Sequence, residues 1–342
     1  MTAALTPLPE LLAAAQSGAI FSALDGRPAL LLPADWGAQG LSAQGAEMLA
    51  QWLRQQPCPT VALCAGGADS ALASTCDVQV QSLSEAAALL TNIERSPIAA
   101  AVLVQLLRMT ETMPLEHALV AESLAYSTLQ AGPEFRRWLA AHPPQALPAI
   151  DEGPAVLMQR EGAVLHLQLN RPSRRNAMSV EMRDALMEAL QLVLMDASIE
   201  QVLMSGKGRC FSTGGELAEF GTAPDPASAH LVRSLALPGR LLARCAARVE
   251  VRLHGACIGS GIELPAFAGR VVASRDAWFQ LPELQFGLIP GAGGGVSIAG
   301  RIGRQRTAWL ALSGQRIDAP TALAWGLVDA IDGGLVKSDE AR

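Results

Sequence analysis

The sequence predicts a layered α/β protein with a large apolar core and a division near residue 150. Three observations predict it. In the second half, segments of alternating apolar residues are followed by segments with helical apolar spacing, and the pattern recurs. Half of the 342 residues are hydrophobic and only 17% are charged, so a sizeable core is expected and a disordered chain is not. Four prolines fall between His142 and Pro154, which argues against a regular element there and for a linker over 142–154.

Before the linker, residues 1–95 read as a small α/β unit. Leu30-Leu31-Leu32 and Val61 to Cys64 are short apolar strands, the second ended by Gly66-Gly67. Between them, residues 42–55 carry Ala46, Leu49, Ala50 and Leu53 at helical spacing. Asp77 to Val80 is a third strand, followed by an Ala/Leu-rich helix. Residues 96–141 read as helical, opening at Ser96-Pro97 and reopening at Met113-Pro114 and Gly132-Pro133. After the linker, Leu165, Leu167 and Leu169 alternate with polar residues as a strand. Ser179 caps a helix whose apolar face is Met182, Leu186, Leu190 and Val193, and Val202-Leu203-Met204 is the next strand.

Aromatic residues make up only 4% of the chain, so Ala, Leu and Val must build the core. A net charge of −6 argues against a nucleic-acid partner, although a local basic cluster or a helix N-terminus can still bind an anion. The six cysteines form no C-x-x-C pair and read as buried free thiols in a reducing compartment. No basic segment precedes an apolar run at the N-terminus, and the run from Pro97 to Leu107 is too short to span a bilayer. The expectation is a cytoplasmic protein with no membrane partner and no metal.

Four segments carry chemical signals: Arg171 to Ala177, Cys210 to Leu217, His254 to Leu264 and Phe279 to Gly294. The third is a glycine-rich turn feeding a helix, whose free N–H groups suit a developing oxyanion. The second offers a similar Gly-Gly turn. Most glycine-rich turns simply reverse the chain, so neither is specific alone. Glu263 and Glu283 are carboxylates bedded in apolar sequence, which destabilises the charged form and suits a general acid or base. Taken singly, each is better explained as a helix-terminal carboxylate or half of a buried ion pair.

Order and spacing change that balance. From about residue 155 to 332, the RPxxxNA, FxxGGEL, HGxxxGSGIEL and PELxFGLIPGAGG stretches, and the later Leu312 to Ala319 and Gly326 to Asp329, closely resemble the crotonase superfamily. The resemblance implies a spiral of ββα units for the catalytic core (155–332), with a tail at 333–342. It implies an enoyl-CoA hydratase or dehydratase, with a CoA-thioester isomerase, hydrolase or decarboxylase, or a non-catalytic CoA-binding subunit, as alternatives. It assigns the oxyanion donors to the backbone N–H groups of Gly215 and Ser260. Glu263 matches the glutamate that holds or deprotonates water, and Glu283 the one that handles the C2 proton. Gly291 matches a glycine near the water site. Arg174 and Arg175, with Ala177 and Gly214, fall where the family binds CoA, although a solvated turn explains the arginines equally. CoA would enter as part of the acyl-CoA thioester substrate, with no permanently bound cofactor, in a homotrimer or homohexamer. Two departures stand out: Ser260 where Gly is usual, and Gly295-Val-Ser in place of Thr-Gln-Arg.

Residues 96–141 resemble the helices that ordinarily end this family, and residues 1–95 a vestigial first unit. The expected architecture is therefore a rearranged crotonase, with the terminal helices ahead of the core.

Overall fold

The computed structural model describes residues 5–34, 41–65, 72–143 and 151–332. Gly66-Gly67, most of the linker and the tail lie outside them. The N-terminal unit holds α1 (Leu8–Ser17), β1 (Leu30–Pro33), α2 (Ala43–Gln55), β2 (Thr60–Leu63), β3 (Val78–Val80) and α3 (Leu83–Arg95). The three strands form one parallel sheet in the order β1-β2-β3. Alternation splits β1 between two cores. Leu30 and Leu32 face a satellite cluster with Leu11, Leu49 and Leu53, whereas Leu31 joins the main core with Val61, Val78 and Val80. The unit is thereby welded to the rest.

The helical segment follows as α4 (Pro97–Thr110), α5 (Leu115–Gln130) and α6 (Pro133–Ala141). Proline opens α4 and α6, where its missing N–H costs nothing. Glu134 caps α4 by accepting the N–H groups of Ile98 (2.8 Å) and Ala99 (2.9 Å). Among the described residues no single helix is long and apolar enough to cross a membrane.

The last part contains β4 (Val156–Glu161), β5 (Val164–Leu169), α7 (Val180–Met195), β6 (Gln201–Gly206), α8 (Pro226–Leu235), α9 (Pro238–Cys245), β7 (Val249–Leu253), β8 (Ala256–Ile258), α10 (Ser260–Glu263), β9 (Arg270–Ser274), β10 (Trp278–Gln280), α11 (Gly294–Ile302), α12 (Arg304–Ser313), β11 (Ile317–Asp318), α13 (Ala319–Trp325) and β12 (Ala330–Asp332). Six strands form a sheet in the order β12-β9-β7-β6-β5-β4, parallel except for the β4–β5 hairpin, and β11-β10-β8 form a second, small sheet. Two successive chain passages through the large sheet continue into the small one and then a helix: β7, β8, α10, then β9, β10, α11. This is the expected ββα repetition. As anticipated, Ser179 caps α7 by accepting the N–H of Met182 (3.2 Å). Strand β4 went unread in the sequence because its outer residues are polar and exposed.

The parts meet at Asp77, which is 1% exposed. Its carboxylate binds Arg108 of α4, Arg304 of α12 (3.1 Å), and the Thr60 N–H and hydroxyl (both 2.9 Å). One buried anion thus ties the N-terminal sheet, the helical segment and the core together. All six cysteines are buried and free.

Candidate active site

The four segments singled out above lie side by side in space. Asn176 starts the assembly. Its side-chain oxygen accepts the Arg171 N–H (2.9 Å), and its amide donates to the carbonyls of Lys207 (2.9 Å), Cys210 (3.1 Å) and Phe211 (3.0 Å). Arg171 is buried and pairs with Glu181. These two motif residues therefore clamp the end of β5 to the 207–211 turn.

The first segment then zips onto the second. Thr213 donates its N–H to the Arg175 carbonyl (3.1 Å), and Met178 donates to that of Gly214 (2.7 Å). The Ser212 hydroxyl donates to the Asn176 carbonyl (2.8 Å) and accepts the Gly214 N–H (3.2 Å). The second segment joins the third through Ile258 N–H to the Ser212 carbonyl (3.0 Å), and the third joins the fourth through Gly259 N–H to the Gln280 carbonyl (3.0 Å). A Cβ on Gly214, whose φ is +89°, would lie 2.8 Å from the Ile258 oxygen and 3.7 Å from the Gly259 Cα. Glycine lets the two turns abut. The residues that follow these touching glycines are Gly215 and Ser260, and neither backbone N–H has a protein acceptor among the described residues. Helix α10 is a single turn ended by a 3-10 turn at Pro265–Phe267, so its dipole is short and the Ser260 donor acts through its own N–H.

Both carboxylates converge on the same spot. Glu263 is 2% exposed, and its Oε2 accepts the N–H groups of Ala292 (2.8 Å) and Gly294 (2.9 Å). A methyl group built on Gly259 would lie 2.6 Å from Glu283 Oε1 and 3.8 Å from Glu263 Oε1. Gly259 has φ +50°, so glycine is required there on two counts. Glu283 Oε2 and the Ser260 hydroxyl are buried with no protein partner. Burial pushes Glu263 up to about 7, opposed by the N–H groups of Ala292, Gly294 and Gly291. Burial, then the charge of Glu263, holds Glu283 well above the ordinary carboxylate range.

Of the other residues singled out, Gly291 is adjacent, its N–H directed to Glu263. Ala177 and Gly214 lie within the zipped layer. Arg174 and Arg175 lie on its outer turn, Arg175 exposed and left-handed at φ 52°.

Sequence reasoning missed four contributors. The Tyr126 ring lies flush on Gly291, where a Cβ would be 2.4 Å away, and the Phe220 ring covers Gly215, with a Cβ 2.9 Å away. Trp138 of α6 packs against Phe220 (5.9 Å) and Phe286 (5.0 Å). Glu122 is buried beside Glu263. A signal for Glu122 existed: it shares the buried stripe of α5 with Ala118, Leu119, Ser123 and Ser127, a charge at an inward position.

Residues 159–340, over half of the chain, match the sequence model of the enoyl-CoA hydratase/isomerase family. The chain belongs to that family. It is 32% identical over 179 residues to 2,3-dehydroadipyl-CoA hydratase of Escherichia coli, covering 52% of this chain and 68% of that protein. It is 34% identical over 177 residues to 1,2-epoxyphenylacetyl-CoA isomerase of the same organism, covering 51% and 68%. A crystal structure of a protein titled enoyl-CoA hydratase/isomerase from Mycobacterium abscessus is 32% identical and covers 52% of this chain and 70% of that one, with a TM-score of 0.49. The chain thus spans about two thirds of these proteins. The family match begins at residue 159, yet Glu122, Tyr126 and Trp138 precede it.

Proposed function

We propose that the protein is an enoyl-CoA hydratase or dehydratase acting on an acyl-CoA thioester. The observation that carries this reading is the convergence of two buried carboxylates, Glu263 and Glu283, at Gly259, beside two uncommitted backbone N–H donors. Addition of water to an α,β-unsaturated thioester places negative charge on the carbonyl oxygen as the enolate forms. Fixed N–H donors from Gly215 and Ser260 stabilise that charge without reorganising.

The two carboxylates have different environments. Glu263 is held by backbone N–H groups, which favour its ionised form, and would take the proton from water attacking C3. Glu283 has an oxygen without a partner and is the harder of the two to ionise, which suits delivery of a proton to C2. In dehydration the roles reverse. The addition gives one 3-hydroxyacyl thioester with no net change of oxidation level, so no redox partner is needed.

Arg174 and Arg175 would meet the phosphates of CoA from the outer turn. Helices α4–α6, which precede the core, would take the place of the family's terminal helices, a reading supported by Tyr126 on Gly291 and by Trp138 against Phe220. Incubation with crotonyl-CoA, followed by loss of the enone absorbance, tests the function. A shift of the double bond without uptake of water would favour an isomerase. An unchanged absorbance over a panel of chain lengths would overturn the hydratase reading.

A further inference from the structure

Glu122 is a third buried glutamate, and the chemistry above does not use it. Its Oε1 accepts the N–H of Gly293 and its Oε2 that of Gly295, both at 2.7 Å. Glu263 takes the N–H groups of Ala292 and Gly294. Four successive N–H groups at the start of α11 are therefore divided alternately between two carboxylates from different parts of the chain. The first N–H groups of any helix need outside acceptors. A neutral side chain would meet that need without placing like charges together, so capping alone does not explain a third carboxylate here.

We propose that Glu122 is a positioning residue for Glu263: by holding Gly293 and Gly295 it fixes the alternating Ala292 and Gly294 N–H groups that orient the Glu263 carboxylate, and its charge sets the field at Glu283. This rests on the acid–base reading of that pair. The surroundings suit the role. Arg233 and His230 of α8 both bond the Ser123 hydroxyl next to Glu122, and Arg233 also covers the Tyr126 ring. Arg240 of α9 lines the same small cavity but pairs with Glu116. Helix α4 presents Leu106 there, α6 commits Glu134 to capping α4, and α11 presents backbone N–H groups. Burial, then the charge of Glu263, raises Glu122, and Glu122 in turn raises Glu283. Removing its charge therefore eases ionisation of Glu283.

The test uses the full chain with Glu122→Gln and Glu122→Asp. Two readouts are followed from pH 5 to 9: crotonyl-CoA hydration, and infrared titration of the buried carboxyls without substrate. Misplacing a reacting group by about 1 Å costs roughly 10²-fold, so a kcat loss of that order with KM held within about twofold is expected for both variants. In Glu122→Gln the alkaline limb, which Glu283 sets as the acid, and the infrared titration move to lower pH. In Glu122→Asp, which keeps the charge, both stay in place. Profiles for Glu122→Gln that superimpose on the wild type, or a wild-type rate for Glu122→Asp, overturn the proposal. If the wild type hydrates no enoyl-CoA, the acid–base reading fails, while the infrared titration still decides whether Glu122 sets the field. If Glu122→Gln does not fold, Glu122→Asp carries the test: lower kcat at unchanged Tm supports positioning.

Discussion

Replacing Glu263 with Gln separates its chemical role from its structural one. The amide oxygen can keep the bonds from Ala292 (2.8 Å) and Gly294 (2.9 Å), so the turn before α11 stays held. What disappears is the base. Acid–base assistance is worth roughly 10²–10⁴-fold, so kcat should fall by that factor, about 3–5 kcal/mol of barrier. Stability should move the other way. Burial pushes the carboxyl from an ordinary 4.5 to about 7. The folded chain then holds the proton more tightly than the unfolded one, so this group's contribution is full below about pH 4.5 and is lost as pH rises through 7. At about 1.36 kcal/mol per unit, the loss is ~3 kcal/mol. Glutamine does not titrate. The variant should therefore gain up to about that much over the wild type between pH 4.5 and 8. Crotonyl-CoA hydration gives the rate, and urea unfolding across pH gives the stability. A kcat within tenfold of wild type, or a stability gap that does not change with pH, would refute the reasoning.

Ser260→Pro removes the oxyanion N–H at a first helical position where proline is tolerated, and kcat should drop by about 10²–10³-fold with Tm little changed. An unchanged rate would move the oxyanion hole elsewhere. Asp77→Asn leaves Arg108 and Arg304 without their shared anion and should destabilise the fold by roughly 3–5 kcal/mol in urea unfolding. Arg174→Ala with Arg175→Ala should raise KM for CoA esters by about tenfold or more while sparing kcat, since a hydrogen bond to a charged group is worth about 1.5–3 kcal/mol. The same KM for a short pantetheine thioester in variant and wild type would confirm that the loss lies in the nucleotide portion.

Local sequence was most informative where a residue's job is local. Ser179 reads as a cap and is one, because capping depends on the next three residues. The glycines at 214 and 259 read as turns, because positive φ is written into residue type. The pairing of these turns was legible only through their collective order and spacing; the hydrogen bonds that zip Asn176, Ser212, Ile258 and Gln280 together cross long gaps in sequence. Strand β4 was hidden because its last four residues, Met158 to Glu161, are all exposed, so no alternation of apolar and polar residues marks it.

The sequence by itself determined the α/β class, the family of the second half, and the identity of Glu263, Glu283, Gly215 and Ser260 as the residues to examine. Tertiary structure alone decided that Glu122, 171 and 173 positions from the N–H groups it holds, joins them. The reason is that periodicity marks a residue as facing inward but says nothing of what it will face. That is fixed by how α5 packs on the start of α11, where a buried carboxylate is tolerable only because backbone donors await it.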